Sequence, residues 1–215
     1  MAMRWDYGAV RTLTLDDYLD KYADDHPSQG DASFVGVWGS ARGFAEFLEL
    51  HNELVDVSSV LELGAGTGWL GSTIAHNAPQ MAEVRMTDRA EWWLAANIAA
   101  TRAGGNPISA ATSEMFDWSS ADDRKRVAGA RHWDLVVGCD LAYSEDRIGP
   151  LVASITALLR GGALRMLYCH TPRGDGSIGA ELERCLAAAG IVRSVVGNVT
   201  LADREDLAPV WELTL

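Results

Sequence analysis

From residue 58 onward, short apolar runs alternate with segments in which apolar residues recur at helical period. This alternation is typical of a parallel sheet covered by helices on both faces. The apolar runs predict seven strands, over Val60–Leu63, Glu83–Thr87, Ile108–Ala111, Trp133–Cys139, Ala163–Cys169, Ile191–Val196 and Val210–Leu215. The segments between them predict helices over Trp69–Asn77, Ala90–Ala103, Asp146–Leu159 and Ser177–Ala189.

The helix predicted over Asp146–Leu159 has the clearest pattern, because its apolar residues fall on one face and Gly161-Gly162 follows as a helix stop. Residues 197–209, between the last two predicted strands, are polar and lack a helical period, so we expect those strands to form an antiparallel hairpin. Upstream, a polar loop from Asp24 to Asp31 precedes one more amphipathic helix over Ala41–Leu50.

Together these elements predict an α/β protein with a Rossmann-like, seven-stranded sheet that is mostly parallel, with helices on both faces and an antiparallel last strand. The chain has 215 residues, which is one generous domain at roughly 150 residues per domain. We expect residues 58–215 to form a single globular unit. Residues 1–57 are expected to be an N-terminal extension and helix that pack on this core.

Charge and composition indicate which partners and which compartment suit the protein, but they do not identify its function. The 18 basic and 30 acidic residues leave a net charge of −12, which repels nucleic acid and anionic membranes. The same field would attract a basic, lysine-bearing protein, although it also simply favours solubility. No apolar run approaches the ~20 residues that span a bilayer, and the N-terminus has no hydrophobic signal core. With three cysteines and no CxxC pair, we expect a reducing compartment and a cytoplasmic protein. We also expect the protein to be a monomer.

The most informative segment is a strand that runs directly into three alternating glycines. It reads Val60-Leu61-Glu62-Leu63-Gly64-Ala65-Gly66-Thr67-Gly68 and is followed by a helix. Glycines at such a turn let the backbone approach a ligand closely and point its amides at that ligand. The next strand leads into Asp88, where a carboxylate would accept hydrogen bonds from ribose hydroxyls. These features predict a nucleotide-like cofactor.

Two classes of cofactor suit this geometry. Residues 66–71 spell the dinucleotide fingerprint GxGxxG, but Gly64 directly follows the strand, so Trp69 would stand at the third fingerprint position and block helix packing. Glu62 would repel a diphosphate and would pair with the cationic amino acid end of S-adenosyl-L-methionine. The arrangement Glu62-x-Gly64-x-Gly66-x-Gly68 resembles the first motif of class I, seven-strand methyltransferases.

Three further segments narrow this resemblance. They are Val37-Trp38 before the upstream helix, Asp117-Trp118 after the third predicted strand and Asp140-Leu141-Ala142-Tyr143 after the fourth. Together with Asn97 and the glycine loop, they resemble the seven-strand protein-lysine methyltransferases of methyltransferase family 16, over about Val35 to Cys169. Ser119 and Thr101 depart from the residues common in that family, which leaves the subfamily open.

The resemblance implies a class I methyltransferase fold, S-adenosyl-L-methionine as cofactor and S-adenosyl-L-homocysteine as product. Besides Glu62, the residues that it places against the cofactor are Trp38, Gly64, Ala65, Gly66, Asp88, Trp118 and Cys139. It places Asp140 and Tyr143 along the channel where a lysine meets the methyl group. The alternatives are that Asp140 caps the following helix and that Tyr143 and the two tryptophans only pack.

Methyl transfer from a sulfonium requires a neutral amine to be aligned and water to be excluded, and it requires no metal. The five histidines show no ligand spacing, so we predict no metal site. Because a carboxylate stabilises an ammonium ion, we assign Asp140 to capture and positioning, with proton loss to solvent. Tyr143 would supply a wall and a hydroxyl acceptor.

We therefore predict an N-methyltransferase that acts on a protein, with lysine as the first choice of acceptor. A small-molecule amine and a protein histidine are alternative acceptors, since one scaffold serves many substrates. Two functions of a different class also suit a glycine loop of this kind: an NAD-binding oxidoreductase and a cofactor-binding module without catalysis. His170 and Arg173 follow the fifth predicted strand and lie either on a substrate rim or in a solvated loop.

Overall fold

The computed structural model describes residues 4–23, 33–202 and 206–215, and the predicted loop from Asp24 to Asp31 lies outside these ranges. Seven strands form one sheet: β1 Ser59–Leu63, β2 Glu83–Asp88, β3 Ala111–Met115, β4 Leu135–Cys139, β5 Met166–Cys169, β6 Val192–Thr200 and β7 Leu207–Thr214. The helices of the described residues are α1 Leu15–Lys21, α2 Gly39–Leu50, α3 Trp69–Asn77, α4 Glu91–Ala103, α5 Ala121–Gly129, α6 Glu145–Arg160 and α7 Ser177–Ala188, with a 3₁₀ turn over Ser33–Val35.

The sheet has the strand order β3-β2-β1-β4-β5-β7-β6. Strands β1 to β5 pair in parallel, whereas β7 lies antiparallel to both β5 and β6. This arrangement confirms the predicted fold class, including the final hairpin. Because β1 pairs with β2 on one side and with β4 on the other, the strand order reverses beside β1, and open α/β sheets bind ligands at that reversal.

The core has two layers, one on each face of the sheet. Apolar side chains of α2, α3 and α4 pack on one face against Val60, Val84 and Val137. Side chains of α5, α6 and α7 pack on the other face against Leu61 and Val136. Neighbouring strand residues therefore point into different layers, which is why β1 is buried along its whole length and its apolar residues do not alternate with exposed ones.

The third strand is displaced from its prediction. The apolar residues of Ile108–Ala111 are mostly the buried approach to the strand, and the strand itself is Ala111–Met115. It lies at one edge of the sheet and pairs only with β2, so its Thr-Ser-Glu segment is partly exposed and carries no apolar pattern. The prediction was wrong because apolar residues in the connecting segment are buried, and a buried connection gives the same apolar pattern as a buried strand.

Two helices were absent from the sequence prediction. Helix α5 contributes few apolar side chains to the core, Val127 and Ala128 among them, so periodicity does not reveal it. Its start is marked by Ser120, whose side chain accepts a hydrogen bond from the Asp123 amide. Helix α1 starts with a capping box between Thr14 and Asp17. Both helices could have been predicted from their caps alone.

The N-terminal segment is fastened to α4. The Asn97 amide accepts a hydrogen bond from the Leu13 backbone at 2.7 Å and donates one to the Trp93 carbonyl at 2.9 Å. One turn later the Thr101 hydroxyl donates to the Arg11 carbonyl at 2.9 Å. Asn97 and Thr101 therefore hold the chain that precedes the 3₁₀ turn, and neither lines the site described below. None of the helices in the described ranges combines the length and apolar composition needed to cross a bilayer.

Candidate active site

The carboxyl ends of β1, β2 and β4 open into a cavity of about 310 Å³. Every residue that sequence analysis assigned to the cofactor or to the methyl acceptor lines it, namely Trp38, Glu62, Gly64, Ala65, Gly66, Asp88, Trp118, Cys139, Asp140 and Tyr143. The structure thus brings these residues together, while their individual roles stay predictions. Trp38 reaches the cavity from the N-terminal region, together with Phe34 and Val37.

The glycine loop is shaped by close packing as well as by backbone geometry. Gly64 has φ +66°, a left-handed conformation that favours glycine. A Cβ atom at Gly64 would lie 2.6 Å from Leu141 Cδ2 and 2.8 Å from Trp118 Cζ2. The loop therefore closes directly against the two segments that follow β3 and β4, and a larger residue at Gly64 would push them apart.

Glu62 is buried beneath this loop. Its Oε2 accepts a hydrogen bond from the Gly71 amide at 2.9 Å, and its side chain faces the cavity. Burial raises the pKa of Glu62 to about 8, and the negative charge of Asp88 adds to the effect. A cation in the cavity would reverse this shift, because an opposite charge favours the ionised carboxylate.

The structure also shows where the close contact between helix and strand occurs. It is made by Gly71 within α3, because a Cβ there would lie 2.5 Å from Glu62 Oε2 and 2.7 Å from Met86 Sδ. Trp69, in contrast, lines the cavity at the start of the helix. The last glycine of the apparent GxGxxG run therefore packs α3 on the sheet and does not belong to the loop.

Asp88 ties the end of β2 to the glycine loop. Its Oδ2 accepts a hydrogen bond from the Gly66 amide at 2.8 Å, and its Oδ1 accepts one from the Ala90 amide at 2.9 Å. Burial raises the pKa of Asp88, and these two backbone hydrogen bonds oppose that rise. Each carboxylate oxygen can accept a second hydrogen bond, so the residue can bind the loop and a ligand hydroxyl together.

The segment after β4 places Asp140 at the rim of the cavity. Asp140 has φ +58°, and its amide donates to the Cys169 carbonyl at 3.0 Å. Two residues later the Ala142 amide donates to the Tyr168 hydroxyl at 3.1 Å. Both anchors lie on β5, so this strand fixes the Asp140–Tyr143 turn. Helix α6 starts at Glu145 with Ser144 at its N-cap, so the alternative that Asp140 caps this helix is wrong.

Arg173 covers the Asp140 carboxylate. Its Nη2 donates to Asp140 Oδ2 at 2.6 Å, and its guanidinium lies 5.9 Å from the centre of the Trp38 ring. Sequence analysis left Arg173 between a substrate rim and a solvated loop, and the structure places it on the rim. His170 is buried beside Trp211 and is not among the cavity residues.

Cys139 and Trp118 also line the cavity. The Cys139 thiol lies 3.3 Å from the Ser40 hydroxyl, and its neighbour Cys169 together with burial raises its pKa. The thiol therefore stays protonated at neutral pH. The Trp118 segment is held by Ser119, whose hydroxyl and amide both donate to Asp117 and lower the pKa of that carboxylate. Ser119 thus takes part in shaping this turn.

Several lining residues were missed by sequence analysis, among them Phe34, Arg89 and Arg147. Arg89 directly follows Asp88 and could have been inferred from that position. Phe34 belongs to the 3₁₀ turn and carries no local signal for a ligand site. Within the described ranges, no group of three or more histidine, cysteine, aspartate or glutamate side chains is arranged to hold a metal ion.

Solved structures share this architecture at low sequence identity. Magnesium protoporphyrin IX methyltransferase from Synechocystis PCC 6803, solved with bound S-adenosylhomocysteine, matches with a TM-score of 0.56 and 16% identity, covering 80% of each chain. An O-methyltransferase family protein from Burkholderia thailandensis matches with a TM-score of 0.59 and 12% identity over 95% of this chain and 64% of that one. At these identities the likeness concerns the fold.

Sequence comparison is more specific. The profile of the lysine methyltransferase family matches residues 21–178. Protein N-lysine methyltransferase METTL21A of Danio rerio is 30% identical over 160 residues, which is 74% of this chain and 69% of that protein. A UPF0665 family protein of Schizosaccharomyces pombe is 35% identical over 104 residues, or 47% of this chain and 30% of that protein. The chain belongs to the lysine methyltransferase family.

Proposed function

We propose that the protein transfers a methyl group from S-adenosyl-L-methionine to the ε-amine of a lysine in a protein substrate. The observation that carries this proposal is that one cavity is lined by residues from three adjacent strand ends: Glu62 and the glycine loop at β1, Asp88 at β2 on one side of it, and Asp140 and Tyr143 after β4 on the other. One cavity thus offers a cofactor side and an acceptor side.

The cofactor side suits S-adenosyl-L-methionine on three counts. The buried Glu62 carboxyl would bind the cationic amino acid end, and Asp88 would accept hydrogen bonds from the ribose hydroxyls. Trp118 offers an apolar face for the adenine, and Gly64 allows the backbone to approach closely. When bound, the cofactor supplies an electrophilic methyl group on a sulfonium. The dinucleotide alternative is disfavoured by the Glu62 carboxyl, which is buried beneath the loop and, when ionised, would repel a diphosphate.

The acceptor side would position an amine for in-line attack. A lysine with a pKa near 10.4 is almost wholly protonated at neutral pH, so it must lose a proton before it reacts. Asp140 would capture the ammonium form and orient it, and solvent would take the proton. The half-buried Tyr143 would form a wall that excludes water.

We also propose that the enzyme works as a cytoplasmic monomer and does not bind nucleic acid. The cavity residues in the described ranges include Phe34 and Trp38, so the N-terminal segment contributes to the site of its own chain. All three cysteines are free thiols, which suits a reducing compartment. The net charge of −12 disfavours nucleic acid as a partner. Light scattering during gel filtration would test the oligomeric state.

The test of the activity uses methyl-tritiated S-adenosyl-L-methionine and cell extract. We expect label in a discrete protein band with the native enzyme, none with Asp140→Asn, and normal labelling with Asp122→Asn, a matched control on the exposed face of α5. Digestion and mass spectrometry of the band would identify the methylated side chain. Label confined to small molecules would favour a small-molecule acceptor, and a modified histidine would favour the histidine alternative. Cofactor binding without any labelled product would favour a module that has no catalytic activity.

A further inference from the structure

Asp140 is not open to an incoming amine in this structure. Its side chain is 6% exposed, and its Oδ2 is occupied by Arg173 Nη2 at 2.6 Å. The second carboxylate oxygen, Oδ1, is also buried. A lysine ammonium group therefore has to compete with the Arg173 guanidinium for this carboxylate.

The Arg173 guanidinium and a lysine ammonium group would not both pair with this carboxylate. A lysine ammonium next to the guanidinium would be repelled, and a buried carboxylate that has lost its partner would be strongly destabilised. We infer that Arg173 holds the place of the acceptor's ammonium group at Asp140, and that the acceptor reaches the carboxylate by displacing Arg173. This inference rests on the proposed function, since it concerns the acceptor side of the same cavity.

The surroundings of Arg173 allow this displacement. Arg173 lies in the connection between β5 and α7, and its side chain is 32% exposed, so it borders solvent. A Cβ atom added at Gly174 or Gly176 would have no neighbour within 4 Å, which shows open space beside this connection. Arg173 Nε is buried without a hydrogen-bond partner among the described residues. The guanidinium would therefore regain hydrogen bonds to water by moving outward.

Three other side chains in this part of the described structure, Arg147, His170 and Cys139, do not take over this role. Arg147 lines the same cavity, but it pairs with Asp146 at 3.5 Å on the first turn of α6. Burial and the nearby Arg173 lower the pKa of His170 to about 4, so His170 is neutral at pH 7. Cys139 is likewise uncharged, because its pKa is raised. Among these side chains, Arg173 is the one whose charge the ammonium group of the acceptor would replace at Asp140.

Displacement by exchange selects for cationic acceptors. An ammonium ion can replace the guanidinium and keep the carboxylate paired, whereas an alcohol or a neutral ring cannot. Arg173 is thus a specificity-determining residue that favours lysine over uncharged acceptors. Arg173 acts before methyl transfer. It competes with the ammonium group of the acceptor for the Asp140 carboxylate.

The test uses n-butylammonium chloride, which carries the end of a lysine side chain, with S-adenosylhomocysteine present. In thermal unfolding, we expect Arg173→Ala to gain stability at an amine concentration at least about tenfold lower than the native protein requires. Arg173→Lys should behave like the native protein, and Arg173→Ala combined with Asp140→Asn should not respond. Arg147→Ala is the matched control for loss of an arginine from the same cavity, and tetramethylammonium chloride is the control for ionic strength.

A second measurement uses the native protein and so does not depend on how the variants fold. The side-chain Nε–Hε resonance of Arg173, assigned from its loss in Arg173→Lys, should shift as n-butylammonium is added. The inference is overturned if that resonance does not respond, or if Arg147→Ala gains the same amine dependence as Arg173→Ala. Calorimetry with S-adenosylhomocysteine and the tritium assay report separately on the proposed function, so its failure is distinguishable from failure of this inference.

Discussion

The buried Glu62 carboxyl makes cofactor binding sensitive to protons. Its pKa is raised from 4.5 to about 8, so in the free protein at pH 7 about nine in ten of these carboxyls are protonated. A cofactor that places a cationic amino group in this cavity would favour the ionised form and expel that proton. We therefore predict release of close to one proton per S-adenosyl-L-methionine bound at pH 7.

The assay is isothermal titration calorimetry in buffers of different ionisation enthalpy. The slope of the observed enthalpy against buffer enthalpy gives the number of protons released, and Glu62→Gln should reduce it toward zero. Asp88 also has a raised pKa, so Asp88→Asn serves as a second variant that measures how much Asp88 contributes to the proton release. A slope near zero for the native protein, or an unchanged slope in Glu62→Gln, would refute the reasoning.

The same group sets a pH dependence of stability in the absence of cofactor. Between pH 4.5 and about 8 the folded protein holds a proton on Glu62 that the unfolded chain has lost, so the free energy of unfolding falls as pH rises through this window. The full effect of the shift is about 5 kcal/mol as an upper bound. Glu62→Gln should flatten this slope in urea unfolding measured from pH 5 to pH 8, and a parallel slope in both proteins would contradict it.

Three further predictions concern single contacts. Asp88→Ala should weaken cofactor affinity by about 1–3 kcal/mol in calorimetry, because the Gly66 amide would lose its acceptor and, in the proposed binding mode, the ribose hydroxyls would lose one as well; unchanged affinity would remove Asp88 from the site. Gly64→Ala should lower the free energy of unfolding by about 1–3 kcal/mol in urea titrations, since φ is +66° and the new Cβ would overlap Leu141; an unaffected midpoint would show that the turn adapts. Asn97→Ala should lower the free energy of unfolding by about 1–3 kcal/mol and speed proteolysis near Leu13, because the hydrogen bonds of Asn97 hold the N-terminal segment on α4. Unaltered cleavage would argue against this anchoring role.

Local patterns were enough where the physical cause is itself local. Strand β1 is buried on both faces, so its sequence is mostly apolar. The glycine loop that follows can be recognised because the left-handed backbone there favours glycine. The final hairpin was predicted from the lack of a helix between its strands, and β7 is antiparallel as expected. Strand β3 was misplaced because an edge strand need not be apolar.

The sequence by itself determined the fold class, the family and ten of the residues that line the cavity, because alternating burial and motif spacing are properties of short stretches of chain. Only the tertiary structure decided how those residues meet. The pairing of Asp140 with Arg173 joins two turns that follow different strands, and its 2.6 Å contact depends on the register of β4 with β5. The raised pKa of Glu62 likewise arises from burial beneath α3. Charge and burial at such points are set by neighbours that are distant in sequence, so no local pattern records them.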